Sequence, residues 1–447
     1  MCTRIVIAIV VYLLVPALAS PAPAFGAKKS APSASFLSEE FLRGSMQGQS
    51  GIAPDVNGDG NEYLVIGAPY AQHKGATGAL LVYSTSKGTF ARRPSFLLKG
   101  DGNLGWSLVS LGKMNGEGKN YFAAGAFNGS GSKASLCGTV TIYKMSDNPQ
   151  KVGVLEGEDA LDKFGYALAA GDVNGDGVPD LIVGAPFNSP SPALYQRGAV
   201  YVYFGPNYDP NQSVKISGTA AAGGIGFSLA TGDINGDGID DLLMQASGKV
   251  VCYYGSRGSF APSPANPDAV FSSADAGFGR AIKVLWDLNN DGCKDIAVGA
   301  DQATINGVID SGRLFILKGG LGKRTVNADA VSSDRLAKID GEPNGGRFGS
   351  AIQPVGDLDG DGTPDLAVSA VHADGPRWPM TGKILLFSGV TLTAAGMDLS
   401  SARSLPGEAR DMHLGSFLAL VAGGRQLAAG APTEDANTGK VRLFDLR

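Results

Sequence analysis

Histidine and cysteine are nearly missing from this chain, at three and four residues in 447. Their scarcity excludes a Cys/His zinc cluster or a disulfide framework as the basis of the fold. Cys2 falls in an N-terminal apolar segment. Cys137, Cys252 and Cys293 remain in separate stretches and are expected as buried free thiols, with a Cys252–Cys293 bridge as the alternative. Charge is sparse as well: 18% of residues, with 37 Lys+Arg against 42 Asp+Glu and a net charge of −5. With no basic stripe, a nucleic-acid interface is not expected. Beyond residue 19 no apolar run is long enough for a membrane-crossing helix. His73, His372 and His413 are far apart, and neither a Ser-His-Asp elbow nor a phosphate-binding glycine loop is present. The chain is therefore not expected to be an enzyme. The remaining catalytic reading is a glycan-active carboxylate pair hidden among the acids.

Glycine is abundant, at 65 residues, and it is periodic. The stretch from Phe164 to Pro186 reads FGYALAAGDVNGDGVPDLIVGAP. An aromatic-Gly pair opens an apolar run, a nine-residue acidic loop follows, and a second apolar run ends in Gly184-Ala185-Pro186. Short apolar runs bounded by Gly, Asn, Asp and Pro are strand–turn–strand signals. Aligned on the closing Gly-Ala, the unit occurs seven times, ending at Ala68, Ala126, Ala185, Ala246, Ala300, Ala370 and Ala431, at intervals of 58, 59, 61, 54, 70 and 61 residues. Each copy carries a further alternating strand after it, such as Gly198 to Phe204, and a short strand before the aromatic-Gly pair, such as Leu155 to Gly157. Repetition at a fixed period decides a fold before local pattern does. The expected fold is all-β: a seven-bladed β-propeller of four-stranded antiparallel blades.

The acidic loops place side-chain oxygens at positions 1, 3, 5 and 9, with the carbonyl of residue 7 between them. This is an all-oxygen set in a flexible turn, which favours Ca²⁺ over Zn²⁺ or Mg²⁺. Four loops are complete: Asp172, Asn174, Asp176, Val178 and Asp180; Asp233, Asn235, Asp237, Ile239 and Asp241; Asp287, Asn289, Asp291, Cys293 and Asp295; and Asp357, Asp359, Asp361, Thr363 and Asp365. A possible fifth site has Asp55, Asn57 and Asp59 but Tyr63 at position nine. The second repeat begins its loop with Lys113 and continues with Asn115, Glu117 and Tyr121, and the seventh repeat has no such loop. Plain Asx-type turns are the alternative, but convergent carboxylates without a cation repel one another.

The repeats are identified as FG-GAP repeats, and residues 38–447 resemble the propeller of the integrin α subunit. The resemblance implies that the calcium loops lie on a lower face and that a protein ligand binds across an upper face. The upper face would be built from loops 70–77, 127–137, 187–197, 301–311 and 371–381. Candidate ligand-binding residues there are Tyr70, Phe187, Tyr195, Arg197, Arg377 and Trp378. No leg domain or inserted adhesion domain follows from the sequence. The expected function is a calcium-binding, adhesion-type interaction module, with a glycan-binding, lectin-like propeller as the alternative. Trp106, Trp286 and Trp378 are unevenly spaced and the upper loops differ between repeats, which favours one composite surface over repeated sugar pockets.

Residues 1–19 read as a signal peptide ending at Ala17-Leu18-Ala19, and residues 20–37 as an Ala/Pro/Ser-rich linker. The location expected from this is extracellular or periplasmic. Residues 39–44 resemble an outer strand with no preceding repeat, whereas the last repeat lacks one. The N-terminal segment is therefore expected to supply the outer strand of the last blade and close the ring.

Overall fold

The computed structural model describes residues 34–35, 45–46, 49–53, 63–73, 75–86, 89–91, 93–114, 120–146, 148–189, 195–219, 223–320, 322–393, 398–421 and 423–446. They form seven antiparallel sheets, one per repeat, arranged as the blades of a propeller. Blade 3 shows the plan. Leu168–Gly171, Asp180–Ala185, Ala199–Tyr203 and Val214–Ser217 pair in that order from the inside outward. The second and third strands are buried at every residue, because a neighbouring blade covers each face. They therefore read as unbroken apolar runs. The outermost strand alternates, with Ile216 inward and Lys215 exposed.

The buried apolar residues divide into clusters that each join two consecutive blades. Leu181, Val183 and Tyr201 of blade 3 pack on Ala123, Val140 and Ile142 of blade 2. Ile182, Val200 and Val202 pack on Leu242, Met244 and Val251 of blade 4. The last junction has the same form, with Leu64, Ile66 and Leu81 of blade 1 against Phe417, Ala428 and Leu443 of blade 7. The ring is thus continuous around its axis through side-chain packing.

The repeated glycines have a specific steric task. Where the second strand of one blade meets the first strand of the next, backbone approaches backbone. A Cβ added at Gly184 would sit 2.2 Å from the Gly226 carbonyl oxygen, and one at Gly125 would sit 2.1 Å from that of Gly165. Gly226 also has φ +97°, a region that disfavours side chains. Within each blade the same glycines are tied together, as in Gly165 N–H donating to Gly184 O at 3.0 Å.

Three features depart from the sequence-based expectations. Residues 70–77 are not an open loop: the strand Tyr63–His73 turns tightly into Ala76–Ser86, with Gln72 paired to Thr77. The strand that pairs with Lys440–Asp445 of blade 7 is Ala34–Ser35, inside the stretch read as linker, with Ala34 opposite Leu443. Residues 39–44, named as the closing strand, lie outside the described residues. Blade 5 also sends out an extra strand, Arg324–Asn327, which runs parallel to the outer strand Ala269–Ser272 of blade 4. Cys137, Cys252 and Cys293 are free and buried, so no Cys252–Cys293 bridge forms.

Blades 6 and 7 also meet through a histidine pair, His372 and His413, with ring centroids 4.8 Å apart. Burial first, then His413 and Arg347, push His372 down from 6.5 to about 4. A depressed histidine contributes stability that is complete above its unfolded value and is lost as pH falls through the folded one. Wild type should therefore lose stability relative to His372→Gln between about pH 6.5 and 4, as read by urea unfolding across that range. A constant difference would exclude the coupling. Gly184→Ala should cost about 1–3 kcal/mol or more by forcing blades 3 and 4 apart. Gly153→Ala, whose added Cβ meets nothing nearer than 3.6 Å, should stay within about 0.5 kcal/mol of wild type. Thermal melts of the two variants compare them directly.

Candidate metal loops and ligand face

Each complete acidic loop connects the first and second strands of its blade, at the end of the axis opposite the aromatic-Gly pair. The four are built alike. In blade 3, Asp172 accepts from Asp176 N at 3.0 Å and Gly177 N at 2.7 Å, and Asp176 accepts from Val178 N at 2.8 Å. Blade 4 repeats this with Asp233 accepting from Asp237 N and Gly238 N, and Asp237 from Ile239 N. Blade 5 uses Asp287 and Asp291, the latter accepting from Cys293 N at 3.1 Å. Blade 6 uses Asp357 and Asp361, the latter accepting from Thr363 N at 2.8 Å. These bonds wrap the turn around its own carboxylates and fix where the remaining lone pairs point.

The ninth residue has a second task that its spacing alone does not reveal. Asp180, Asp241, Asp295 and Asp365 are fully buried. In each, Oδ2 accepts from the backbone N–H of the second loop residue: Val173, Ile234, Leu288 or Leu358. Oδ1 accepts from a glycine N–H beyond the third strand: Gly205, Gly255, Gly319 or Gly389. One carboxylate therefore staples the loop to the base of the blade. Burial raises the carboxyls of Asp180 and Asp241 to about 7 and those of Asp295 and Asp365 to about 6, against the lowering effect of these N–H donors.

Two observations bear on whether a cation fits. In blade 6, one oxygen from each of Asp357, Asp359 and Asp361 lies within 4.8 Å of the others. Asp359 Oδ2 and the matching Asn289 Oδ1 of blade 5 are buried without a hydrogen-bond partner. Both occupy position three of their loops. A buried acceptor with no donor is costly, and a hard cation at the centre of the turn satisfies it. In blade 3 the position-three side chain, Asn174, instead donates to Asp176 Oδ2 at 3.0 Å, and in blade 4 Asn235 donates to Asp237 Oδ2 at 2.9 Å. Asp55, Asn57 and Asp59 lie outside the described residues, as do Asn115 and Glu117. In blade 2, position nine is the buried Tyr121, an apolar replacement for the staple. Blade 7 turns directly from Val421 to Gln426, which pair.

The opposite mouth of the axis is lined by the residues that follow the aromatic-Gly pair. Trp106, Tyr166 and Phe227 come from blades 2, 3 and 4. Trp106 lies 5.4 Å from Tyr166 and 4.8 Å from Phe127, and Tyr166 lies 5.5 Å from Phe227, mostly in edge-to-face contacts. Blades 5 and 6 place Arg280 and Ser350 at this position, and a hollow of about 390 Å³ opens between Tyr166, Phe227, Arg280 and Asp301. Arg280 approaches Asp301 at 3.9 Å. The mouth is thus aromatic on the side of blades 2 to 4 and polar, with one Arg–Asp pair, on the side of blades 5 and 6. The sequence reading missed this cluster, although aligning the residue after each aromatic-Gly pair exposes it.

The six residues named from the sequence as ligand-binding do not converge. Phe187 joins the aromatic mouth through Phe227, with centroids 5.6 Å apart. Tyr195 is exposed and Arg197 packs against the Gly218 and Gly223 turns on the rim of blade 3. Arg377 and Trp378 line a separate hollow of about 550 Å³ with Glu408, at the rim of blade 6. Tyr70 lies in the blade 1 hairpin, its N–H donating to Ser45 O at 3.1 Å.

Comparison with known proteins agrees with this architecture. Residues 164–203 match the FG-GAP repeat model, and residues 233–298 match the FG-GAP-like repeat model. The chain is 33% identical over 230 residues to integrin alpha-V of Gallus gallus, covering 47% of this chain and 20% of that protein. It is 32% identical over 220 residues to integrin alpha-IIb of Mus musculus, covering 46% and 20%. It is 34% identical over 203 residues to integrin alpha-7 of Homo sapiens, covering 41% and 16%. The chain matches about a fifth of the length of these relatives. Sequence, repeat matches and blade architecture together make this an FG-GAP-repeat propeller similar to that of integrin α subunits.

Proposed function

We propose that the chain is a calcium-stabilised, non-catalytic interaction module of adhesion type, acting outside the cytoplasm and recognising a protein ligand at the aromatic mouth. The observation that carries this reading is the division of labour along the axis. Four equivalent acidic loops occupy one end, and unlike side chains, differing from blade to blade, occupy the other. Identical loops suit a repeated structural ion, whereas a composite, asymmetric surface suits one macromolecular partner. Similarity to integrin α subunits supports the same reading, and residues 1–19 have the pattern of a secretory signal.

The residues that would hold Ca²⁺ are the position 1, 3 and 5 side chains and the position 7 carbonyls, with the position 9 carboxylates closing each loop from behind. The ion would supply neutralising charge to carboxylates that otherwise repel. It would stiffen the hairpin at the base of each blade and link folding to metal.

Calorimetric titration of Ca²⁺ into the chelated protein should give a stoichiometry near four, or five with the loop of Asp55. Each site held at 100-fold excess over its Kd should add about 2.7 kcal/mol of stability. Asp361→Ala should remove one equivalent and the matching fraction of the Ca²⁺-dependent rise in melting temperature. Absence of heat and of any shift would make the loops plain turns. The ligand face is tested by peptide display on the Ca²⁺-loaded protein with counter-selection on Tyr166→Ala/Phe227→Ala. Peptides should be enriched on wild type and lost on the variant, and equal recovery on both would place the interaction elsewhere.

A further inference from the structure

Two of the chain's three histidines meet at one seam. At the junction of blades 2 and 3, Asn128, two residues past the closing alanine of one repeat, meets Lys163, which precedes the aromatic-Gly pair of the next. Lys163 Nζ donates to Asn128 Oδ1. The same positions at the junction of blades 6 and 7 are His372, two past Ala370, and His413, before Leu414-Gly415. A donor–acceptor pair is thus replaced by two imidazoles whose ring centres stand 4.8 Å apart. His413 Nε2 is buried without a hydrogen-bond partner among the described residues.

The tautomer of His413 follows from its neighbours. Thr433 Oγ1 lies 2.5 Å from Asp411 O, a group that can only accept, so the single hydroxyl proton is donated there. Towards the His413 ring, 2.9 Å away, Thr433 Oγ1 then accepts, and His413 Nδ1 carries the proton. A neutral imidazole has one N–H, so Nε2 presents a bare lone pair. An Nδ1–H held by an oxygen, with the other ring nitrogen free, is the arrangement of metal-ligating histidines.

A buried acceptor with no donor is costly, and a cation satisfies it. At metal–nitrogen distances of about 2.0–2.1 Å, two imidazoles on one tetrahedral ion have ring centres about 5 Å apart, close to the separation seen here. Imidazole suits Zn²⁺, Cu²⁺ and Ni²⁺, whereas Ca²⁺ takes oxygen. Arg347, whose charge reaches both rings, is balanced by its pairing with Asp310 Oδ2 at 2.8 Å. We propose that His372 and His413 form a binding site for a borderline divalent cation, represented by Zn²⁺, which bridges blades 6 and 7 and keeps its remaining positions open to water. Nitrogen donors at the mouth end of the axis separate this site from the acidic loops, so it stands whether or not those loops hold Ca²⁺.

The test is calorimetric titration of Zn²⁺ into the full, untagged chain at neutral pH, with Ca²⁺ in saturating excess to occupy the acidic loops. One Zn²⁺ per chain should bind. His372→Gln and His413→Gln should each remove that equivalent, and His73→Gln should keep it. Thr433→Val, which takes away the acceptor for Nδ1–H, should weaken binding by about 10–100-fold. No Zn²⁺ binding, or an equivalent that persists in both His372→Gln and His413→Gln, would overturn the assignment. Should the variants fail to fold, the imidazole proton resonances of the wild type decide. Zn²⁺ should shift those of two histidines and leave the third in place, and a shift of none or of only one would overturn the site.

Discussion

The structure depends on one steric fact: successive blades approach so closely at the axis that their backbones touch. Gly125 against Gly165, Gly184 against Gly226 and Gly299 against Gly349 leave no space for a Cβ. This approach brings seven sheets together tightly enough for each to bury both faces of its middle strands. Dispersion and apolar burial between blades then supply most of the favourable energy. The FG-GAP pattern is the sequence record of this contact: an aromatic to fill the interblade core, a glycine to turn, and a glycine to be approached. Where the pattern lapses, the structure adapts. Gln245 and Ser369 stand at the position of the approached glycine and meet Gly279 and Gly415, which keep their left-handed turns.

Much of this was legible in the sequence because a repeat multiplies weak signals. A single apolar run such as Leu181-Ile182-Val183 is ambiguous, but seven at a steady interval define blades. The metal loops were legible for the same reason, since Asp172, Asn174 and Asp176 recur at one spacing. The role of Asp180 and its equivalents was only partly so. Its acceptance from Val173 is local, but its acceptance from Gly205 joins residues 25 apart in sequence. No spacing rule anticipates that pairing.

The remaining differences have similar causes. Ala34–Ser35 pairs with blade 7 from within an Ala/Ser-rich stretch, which offers no hydrophobic period to read. The aromatic mouth is formed by Trp106, Tyr166 and Phe227, residues about sixty apart that only the ring brings together. Tyr195 and Trp378 were conspicuous in the sequence as exposed aromatics, yet the ring holds them at separate rims.

The strand Arg324–Asn327 has a mechanical consequence. It leaves blade 5, lies along the outer edge of blade 4, and returns, so these two sheets share a ladder as well as a core. Asp329 adds to the clasp by accepting from Ser273 Oγ at 2.9 Å and Ala274 N at 2.8 Å. In a ring whose other junctions are held by packing and by scattered hydrogen bonds, such as Ser107 Oγ to Gly165 O and Thr231 Oγ1 to Ala170 O, a break propagates from the junction with fewest bonds across it. Blades 4 and 5 cannot separate at their outer rim without first losing a row of hydrogen bonds. The pair therefore behaves as a double module, and under load or partial denaturation the ring opens at some other seam.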